Sequence, residues 1–343
     1  MTFDGHTWIG VAAYLGGGLA MGLGAIGAAI GEGYTAAQAN EALSRNPQGA
    51  GDLFKTMLVG QAIAESASIF ALVIAMILLF SSFNSTSLVT ASAIMAAGLS
   101  MGFGAVGSGV GSGFPAAAAC TGMSRQPAMG ARLTTNMLVG SAVCQTPSIF
   151  ALVTSFILIF TDFSKEPLNP AWAAVMGAGL AAGLAAIGSG IGGGVVAQAS
   201  CEGIARNPDS QKQVMNVMLL GQAITQTPAI LGLLISFILI FKQWDATSAI
   251  APGFALLSAG LCMGVGAIGP GLGEGLASSG GVRWIARNPS FAGELTRTML
   301  VGMAVSESTA IYSMVIALVL IFVVTAAVLI VRPWGLFGTP LRT

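Results

Sequence analysis

The chain has 343 residues, of which 55% are apolar and 8% charged, with a formal net charge of zero and a mean hydropathy of +0.84. A water-soluble surface over this length needs many more charged side chains. The composition therefore excludes a soluble globular protein and indicates an integral membrane protein.

Eight apolar stretches are long enough to cross a bilayer, because each exceeds the ~20 residues that a spanning helix needs. They cover residues 8–41, 54–80, 87–122, 132–160, 171–203, 213–241, 249–282 and 297–330. Their runs of Gly, Ala and Leu do not alternate in polarity as the strands of a membrane barrel do. The predicted fold class is an all-α membrane protein with eight transmembrane helices.

A repeat of about 80 residues organises the chain. An Arg-x-Pro tripeptide occurs four times, separated by 80, 81 and 81 residues. The four tripeptides are Arg45-Asn46-Pro47, Arg125-Gln126-Pro127, Arg206-Asn207-Pro208 and Arg287-Asn288-Pro289. Each lies between two apolar stretches, so we predict four tandem helical hairpins. Their expected ranges are 1–84, 85–165, 166–246 and 247–343.

The distribution of basic residues predicts the orientation of these hairpins. Nine of the 13 Lys and Arg residues lie in or beside the four Arg-x-Pro loops. Because cytoplasmic loops of membrane proteins are enriched in Lys and Arg, we expect these loops in the cytoplasm and both termini on the opposite side.

The first helix of each hairpin is rich in glycine at short spacings, as in Gly18, Gly22, Gly27 and Gly31 of the first hairpin. Small residues at such spacing allow helix backbones to approach closely in lipid. We therefore expect the first helices to form a narrow inner layer and the second helices, rich in Leu, Ile, Phe and Val, to form an outer layer.

Each second helix carries one polar residue within its apolar run. The residues at this position are Glu65, Gln145, Gln226 and Glu307. A second acid, Glu32 or Glu274, occurs on the first helix only in the hairpins that keep the first acid. An ionised side chain in a bilayer is costly and seldom kept without a function. We predict that Glu32 with Glu65, and Glu274 with Glu307, act as pairs that enclose a cation. The alternative is a structural role in helix association, which glutamine fulfils without the cost of ionisation.

The glycine-rich helix, the Arg-Asn-Pro type of loop and the buried carboxylate of the second helix together resemble the c subunit of rotary F-type ATP synthases. The resemblance covers essentially the whole chain, as four c-like hairpins in tandem. It implies part of a rotor ring that carries Na+ or H+. The implied partners are further copies of the chain in a homo-oligomeric ring, the stator a subunit and the central stalk of a catalytic head. The residues of the Arg-x-Pro loops would then couple the ring to the stalk. No nucleic-acid partner and no cofactor is expected.

Residues around the two acids are similar to those of Na+-binding c rings. In that pattern a Ser or Thr follows the Glu, a Tyr lies five residues after it, and a backbone carbonyl two residues before it also binds the ion. The implied ligands are Glu32, Glu65, Ser66 and the Ile63 carbonyl in the first hairpin, and Glu274, Glu307, Ser308, Tyr312 and the Val305 carbonyl in the fourth. Phe70 stands at the tyrosine position of the first hairpin. Oxygen ligands of this kind suit an alkali cation, so Na+ is favoured over H+.

By the same resemblance, each site is assembled from two neighbouring hairpins. The fourth hairpin of one chain and the first of the next then form one complete site. A second site forms at either the first-to-second or the third-to-fourth junction, with Thr146 or Thr227 in place of the serine. Between the second and third hairpins no ion is expected.

The sequence contains no GxxxxGK[ST] motif, so ATP chemistry is expected in other chains and no catalytic site in this one. One alternative is a proton-pump proteolipid of the V type, which is also built from fused hairpins. Another is a non-rotary structural or pore-forming membrane oligomer. A substrate transporter is disfavoured, since the four repeats run in the same orientation.

Overall fold

The structure, a computed structural model, describes residues 5–324, and this part of the chain is helical apart from short connectors. The α-helices are α1 (Gly5–Arg45), α2 (Ala50–Phe80), α3 (Leu88–Arg125), α4 (Gly130–Cys144), α5 (Thr146–Phe160), α6 (Leu168–Arg206), α7 (Gln211–Thr225), α8 (Thr227–Phe241), α9 (Ile250–Arg287) and α10 (Ala292–Leu318). A π-helical segment, Val319–Val324, follows α10. The ends of the predicted eighth span 297–330 and of the predicted unit 247–343 lie outside the described residues.

Among the described residues, eight helical segments of 34 to 41 residues are long and apolar enough to cross a membrane. They form four hairpins, which confirms the predicted fold class. The first arms of the hairpins are α1, α3, α6 and α9. The second arms are α2, α4 with α5, α7 with α8, and α10.

Each hairpin turns at its Arg-x-Pro tripeptide. In the first hairpin α1 ends at Arg45, and a single 3-10 turn over Pro47–Gly49 leads into α2. Proline disfavours the helical conformation of the residue before it, and Asn46 accordingly has φ −139° and ψ 80°. The Gly49 amide closes the turn by donating to the Asn46 carbonyl at 3.2 Å.

The first arms pack side by side in chain order, α1 on α3, α3 on α6 and α6 on α9. Glycine makes this close approach possible. A methyl group added at Gly109 would come within 2.6 Å of the Ala28 nitrogen, and one added at Gly190 within 2.5 Å of the Gly107 carbonyl carbon. The inner layer is therefore a row of four helices in backbone contact.

The second arms fill the grooves between neighbouring first arms. Helix α2 packs against α1 and α3, helices α4 and α5 against α3 and α6, and helices α7 and α8 against α6 and α9. Helix α10 packs mainly against α9, because no further first arm lies beside it in the described chain. It is the least buried of the eight spans within this part of the chain.

The second arms of the two middle hairpins are interrupted, whereas α2 is continuous. Gln145 separates α4 from α5, and Gln226 separates α7 from α8. Two residues after each break point comes a proline, Pro147 or Pro228, which lacks the N–H of a normal helical hydrogen bond. The helices therefore break at the level of the polar residue.

Candidate ion-binding site

The polar residues of the four second arms differ in how far this chain covers them. Gln145 and Gln226 are 7% and 6% exposed, Glu307 is partly buried, and Glu65 is exposed. Glu65 lies on the first hairpin, which has no preceding hairpin in the described chain. The order of burial indicates that the polar residue of each second arm is covered by the preceding hairpin.

Gln145 connects two hairpins through its amide nitrogen. Its Nε2 donates to the Ile63 carbonyl of the first hairpin at 3.0 Å and to the Ser112 hydroxyl of its own first arm at 2.7 Å. Ser112 stands at the repeat position that Glu32 occupies in the first hairpin. The amide nitrogen therefore lies between an oxygen of its own hairpin and an oxygen of the preceding one.

Gln226 makes the equivalent contact one hairpin further along. Its Nε2 donates to the Val143 carbonyl at 3.3 Å. Pro147 has no N–H to donate to this carbonyl within the helix, so the oxygen is available for a contact from outside. Both glutamines thus reach the backbone carbonyl two residues before the polar position of the preceding hairpin.

Glu274 is the most deeply placed acid of the described chain. It is 0% exposed, and neither of its carboxylate oxygens has a hydrogen-bond partner among the described residues. Glu307 lies close enough to interact with it electrostatically, as Glu65 does with Glu32. The ion pairs found in the described chain involve other acids, Glu41, Asp52 and Glu202. A buried carboxylate without a donor or a basic partner is unfavourable unless a cation or a proton accompanies it.

The serine and the carbonyl oxygen that the resemblance implies as ligands lie on the same helical turn. The Ser66 hydroxyl donates to the Ile63 carbonyl at 2.6 Å, and the Ser308 hydroxyl to the Val305 carbonyl at 2.7 Å. Each pair presents two oxygens from one helical turn. Tyr312 is 65% exposed on the face of α10 that this chain leaves uncovered.

Two serines that the sequence reasoning missed stabilise the interrupted helices. The Ser108 hydroxyl accepts the Ser148 amide, and the Ser189 hydroxyl accepts the Ala229 amide, each at 3.2 Å. The equivalent positions of the first and fourth hairpins hold Ala28 and Pro270. Aligning the repeats would have revealed this signal, since serine at this position occurs only in the hairpins that carry the Gln and Pro substitutions.

Four tandem hairpins with glycine-lined first arms, and a Glu or Gln within the apolar run of each second arm, define a membrane proteolipid built from fused units. The family of ATP synthase c subunits matches residues 15–78, 95–158, 176–239 and 257–320, one segment in each hairpin. The chain belongs to this family.

Three relatives show that a complete c subunit corresponds in length to about one hairpin of this chain. The ATP synthase c subunit of Petrotoga mobilis is 54% identical over 68 residues, which are 20% of this chain and 71% of the relative. That of Thermotoga petrophila is 48% identical over 79 residues, 22% of this chain and 93% of the relative. That of Prochlorococcus marinus is 47% identical over 74 residues, 22% and 91% respectively. Each relative is therefore similar to about one hairpin of the chain.

Proposed function

We propose that this chain is a rotor-ring subunit of an F-type ATP synthase and that it carries Na+ on two of its four hairpins. Family membership supports the rotor role. The observation that carries the ion-binding role is Glu274, a fully buried carboxylate with no hydrogen-bond partner in the described chain, at a position where the middle hairpins have Ser112 and Gly193.

The first carrier site lies within the chain, at the third-to-fourth junction. Gln145 and Gln226 both reach back to the preceding hairpin, and the repeat gives Glu307 the same direction. Glu274 and Glu307 then face the Ile224 carbonyl and the Thr227 hydroxyl of the third hairpin. Pro228 has no N–H to donate to the Ile224 carbonyl, which favours its use as an ion ligand.

The second carrier site lies between copies of the chain. Glu32 and Glu65 belong to the first hairpin, so the preceding hairpin must come from a second copy. Val305 and Ser308 of that copy supply the carbonyl and hydroxyl oxygens, and Tyr312 follows on the same face of α10. The exposure of Glu65 and of α10 in the single chain supports this assembly into a homo-oligomeric ring.

Na+ is proposed over H+ because of the donor set at each site. Two side-chain carboxylates, a hydroxyl and a carbonyl are oxygen ligands of the kind that alkali and other hard cations prefer. A proton would need one carboxylate and apolar surroundings.

We also propose an orientation of the chain in the membrane and the subunits that it contacts. The four Arg-x-Pro loops lie in the cytoplasm and contact the central stalk, and a stator a subunit faces the carriers in the membrane. The nine basic residues in and beside these loops support this orientation. ATP synthesis or hydrolysis takes place in other chains, so this chain has carrier and coupling residues but no catalytic ones.

The test is labelling of the purified ring with a hydrophobic carbodiimide across a pH series, with and without Na+, followed by peptide mass spectrometry. We expect labelling at Glu65 and Glu307 that Na+ suppresses. Labelling that follows pH and ignores Na+ would replace Na+ by H+ in the proposal. Absence of selective labelling would contradict the carrier role and favour a structural or pore-forming oligomer.

A further inference from the structure

We propose that the side-chain amides of Gln145 and Gln226 take the place of the transported cation at the first-to-second and second-to-third junctions. These junctions are then closed by the protein itself and exchange no ion. The inference rests on the proposed function, because it uses the ligand positions of the carrier sites.

The contacts of Gln145 are those expected of a bound cation. An amide N–H group carries partial positive charge and points it at oxygens. Here Nε2 lies 3.0 Å from the Ile63 carbonyl and 2.7 Å from the Ser112 hydroxyl. The first is the carbonyl position proposed as an ion ligand at the carrier junctions, and the second replaces the acid of the first arm. The nitrogen therefore occupies the point where these oxygens converge.

The surrounding hydrogen bonds hold this amide in place. The Ser112 hydroxyl, which accepts from Gln145, donates in turn to the Ser108 carbonyl at 2.8 Å. The Ser148 hydroxyl lies 3.4 Å from the Gln145 side-chain oxygen and 2.7 Å from the Gln145 carbonyl. With the glutamine buried, an ion could enter only by displacing the side chain and breaking this network.

The second-to-third junction is closed in the same way but with fewer contacts. Gln226 Nε2 donates to the Val143 carbonyl, while Gly193 stands where the second hairpin has Ser112. The Gln226 side-chain oxygen has no partner among the described residues. The first-to-second junction is therefore the better-formed mimic and the better place to test it.

Ser66 and the Ile63 carbonyl have a new role under this proposal. They belong to the first-to-second junction, where they form one half of a latent ion site whose other half has been replaced by Gln145 and Ser112. Restoring two acids at these positions should recreate a third carrier site in the chain, because the opposing oxygens are already present.

The experiment uses the full-length chain assembled in its ring, with the double substitution Gln145→Glu and Ser112→Glu. Carbodiimide labelling is measured by peptide mass spectrometry at position 145 and, in the same sample, at Glu307. We expect new labelling at position 145 that Na+ suppresses. The matched control adds Ser66→Ala, which removes one proposed ligand. It should raise the Na+ concentration for half-protection at position 145 by about tenfold and leave Glu307 unchanged.

Labelling at position 145 and at Glu307 tests the inference and the proposed function separately. Na+ protection at Glu307 without protection at position 145 would overturn the inference and leave the proposed function standing. Absence of Na+ protection at Glu307 in the intact wild-type ring, together with its absence at position 145 in the variant ring, would overturn both. If the double variant does not assemble, the single isosteric change Gln145→Glu is used. It should still show protection by Na+, about tenfold weaker than at Glu307, and complete insensitivity to Na+ would contradict the proposal.

Discussion

The middle of each second arm holds either a carboxylate or an amide, and these two groups make different demands on their surroundings. An amide supplies its own N–H donors, so Gln145 closes its junction with hydrogen bonds to the Ile63 carbonyl and the Ser112 hydroxyl. A carboxylate only accepts, so Glu274 and Glu307 need a cation or proton from outside. In the proposed assignment, an amide at this position closes a junction and a carboxylate makes it a carrier site.

Substitution of Glu274 tests whether its carboxylate binds the ion. Glu274→Leu removes a ligand oxygen from the within-chain site, whereas Glu274→Gln keeps one. The Na+ concentration that half-protects Glu307 from carbodiimide should rise by about tenfold or more with leucine, equivalent to ~1.4 kcal/mol or more, and much less with glutamine. Peptide mass spectrometry measures both.

Glu65 in the same sample is the internal control for this prediction. Its site is formed by other residues and by a second copy, so its half-protection should not change in either variant. Equal weakening by leucine and glutamine, or a parallel change at Glu65, would contradict a ligand role for Glu274 at the within-chain site.

The interrupted second arms show how elements adapt to the residue they carry. Pro147 breaks the helix near Gln145, and the displaced Ser148 amide finds a new acceptor in the Ser108 hydroxyl of the adjacent arm. We therefore expect the bend to depend on a residue of another helix. The continuous α2 has Ala67 at the proline position, and α1, the first arm of the same hairpin, has Ala28 at the serine position.

A double-mutant cycle tests this dependence. Ser108→Ala leaves the buried Ser148 amide without its acceptor and should lower the free energy of unfolding by about 1–3 kcal/mol. In the Pro147→Ala background a continuous helix can satisfy that amide, so the same change should destabilise less. Titration with SDS in mixed micelles, followed by circular dichroism, measures the coupling. Ser92→Ala is the control, since among the described residues that hydroxyl bonds only the Leu88 carbonyl of its own helix. Additive effects would show that the serine and the bend are independent.

Close packing of the first arms should make Gly190 sensitive to substitution. Gly190→Ala places a methyl group 2.5 Å from the Gly107 carbonyl carbon, so α3 and α6 must separate. We expect destabilisation of about 1–3 kcal/mol by the same SDS titration. Gly51→Ala is the matched control, because nothing lies within 4 Å of the added methyl group there. It should be neutral or slightly stabilising through higher helix propensity, and equal effects at both positions would argue against tight packing as the role of Gly190.

At the scale of the whole molecule, the two edges of the chain are unlike its interior. Helix α10 is the least covered of the spans within the described residues, and Glu65 is exposed at the opposite edge. The inner layer of first arms also differs at the edge formed by the first hairpin. Ala29 stands there at the position where the other first arms have Gly109, Gly190 and Gly271. The methyl group of Ala29 should therefore keep the first arms further apart at the proposed junction between copies than at the junctions within a chain.

Native mass spectrometry of the intact ring tests the assembly and the number of carriers together. The mass of the ring should be a whole multiple of the mass of one chain, and complete carbodiimide modification should add two adducts per chain. Four adducts per chain would contradict two carriers per chain, and a stable monomer under mild detergent conditions would contradict the proposed ring. Two carriers per four hairpins, as proposed, would mean fewer ions per turn than four carriers, so each ion would have to supply more free energy for ATP synthesis.

Much of the fold could be predicted from the sequence because its causes are local or periodic. Apolar length sets the eight spans, the Arg-x-Pro tripeptides set the turns, and glycine spacing indicates which arms approach closely. The four polar positions and the paired loss of Glu32 and Glu274 equivalents are likewise visible in the repeat. They are properties of residue type and spacing, which need no knowledge of neighbours.

The direction in which a junction is built could not be read from the sequence, because the repeat is compatible with either neighbour. Only the packed helices decide it: Gln145 reaches the Ile63 carbonyl and Gln226 the Val143 carbonyl, both in the preceding hairpin. The acceptor role of Ser108 likewise depends on a contact between residues 40 positions apart. Sequence alone determined the membrane fold and the candidate carriers, because both follow from residue type and spacing. Tertiary packing decided which oxygens contact the glutamines of the middle hairpins, because these contacts join residues far apart in the chain.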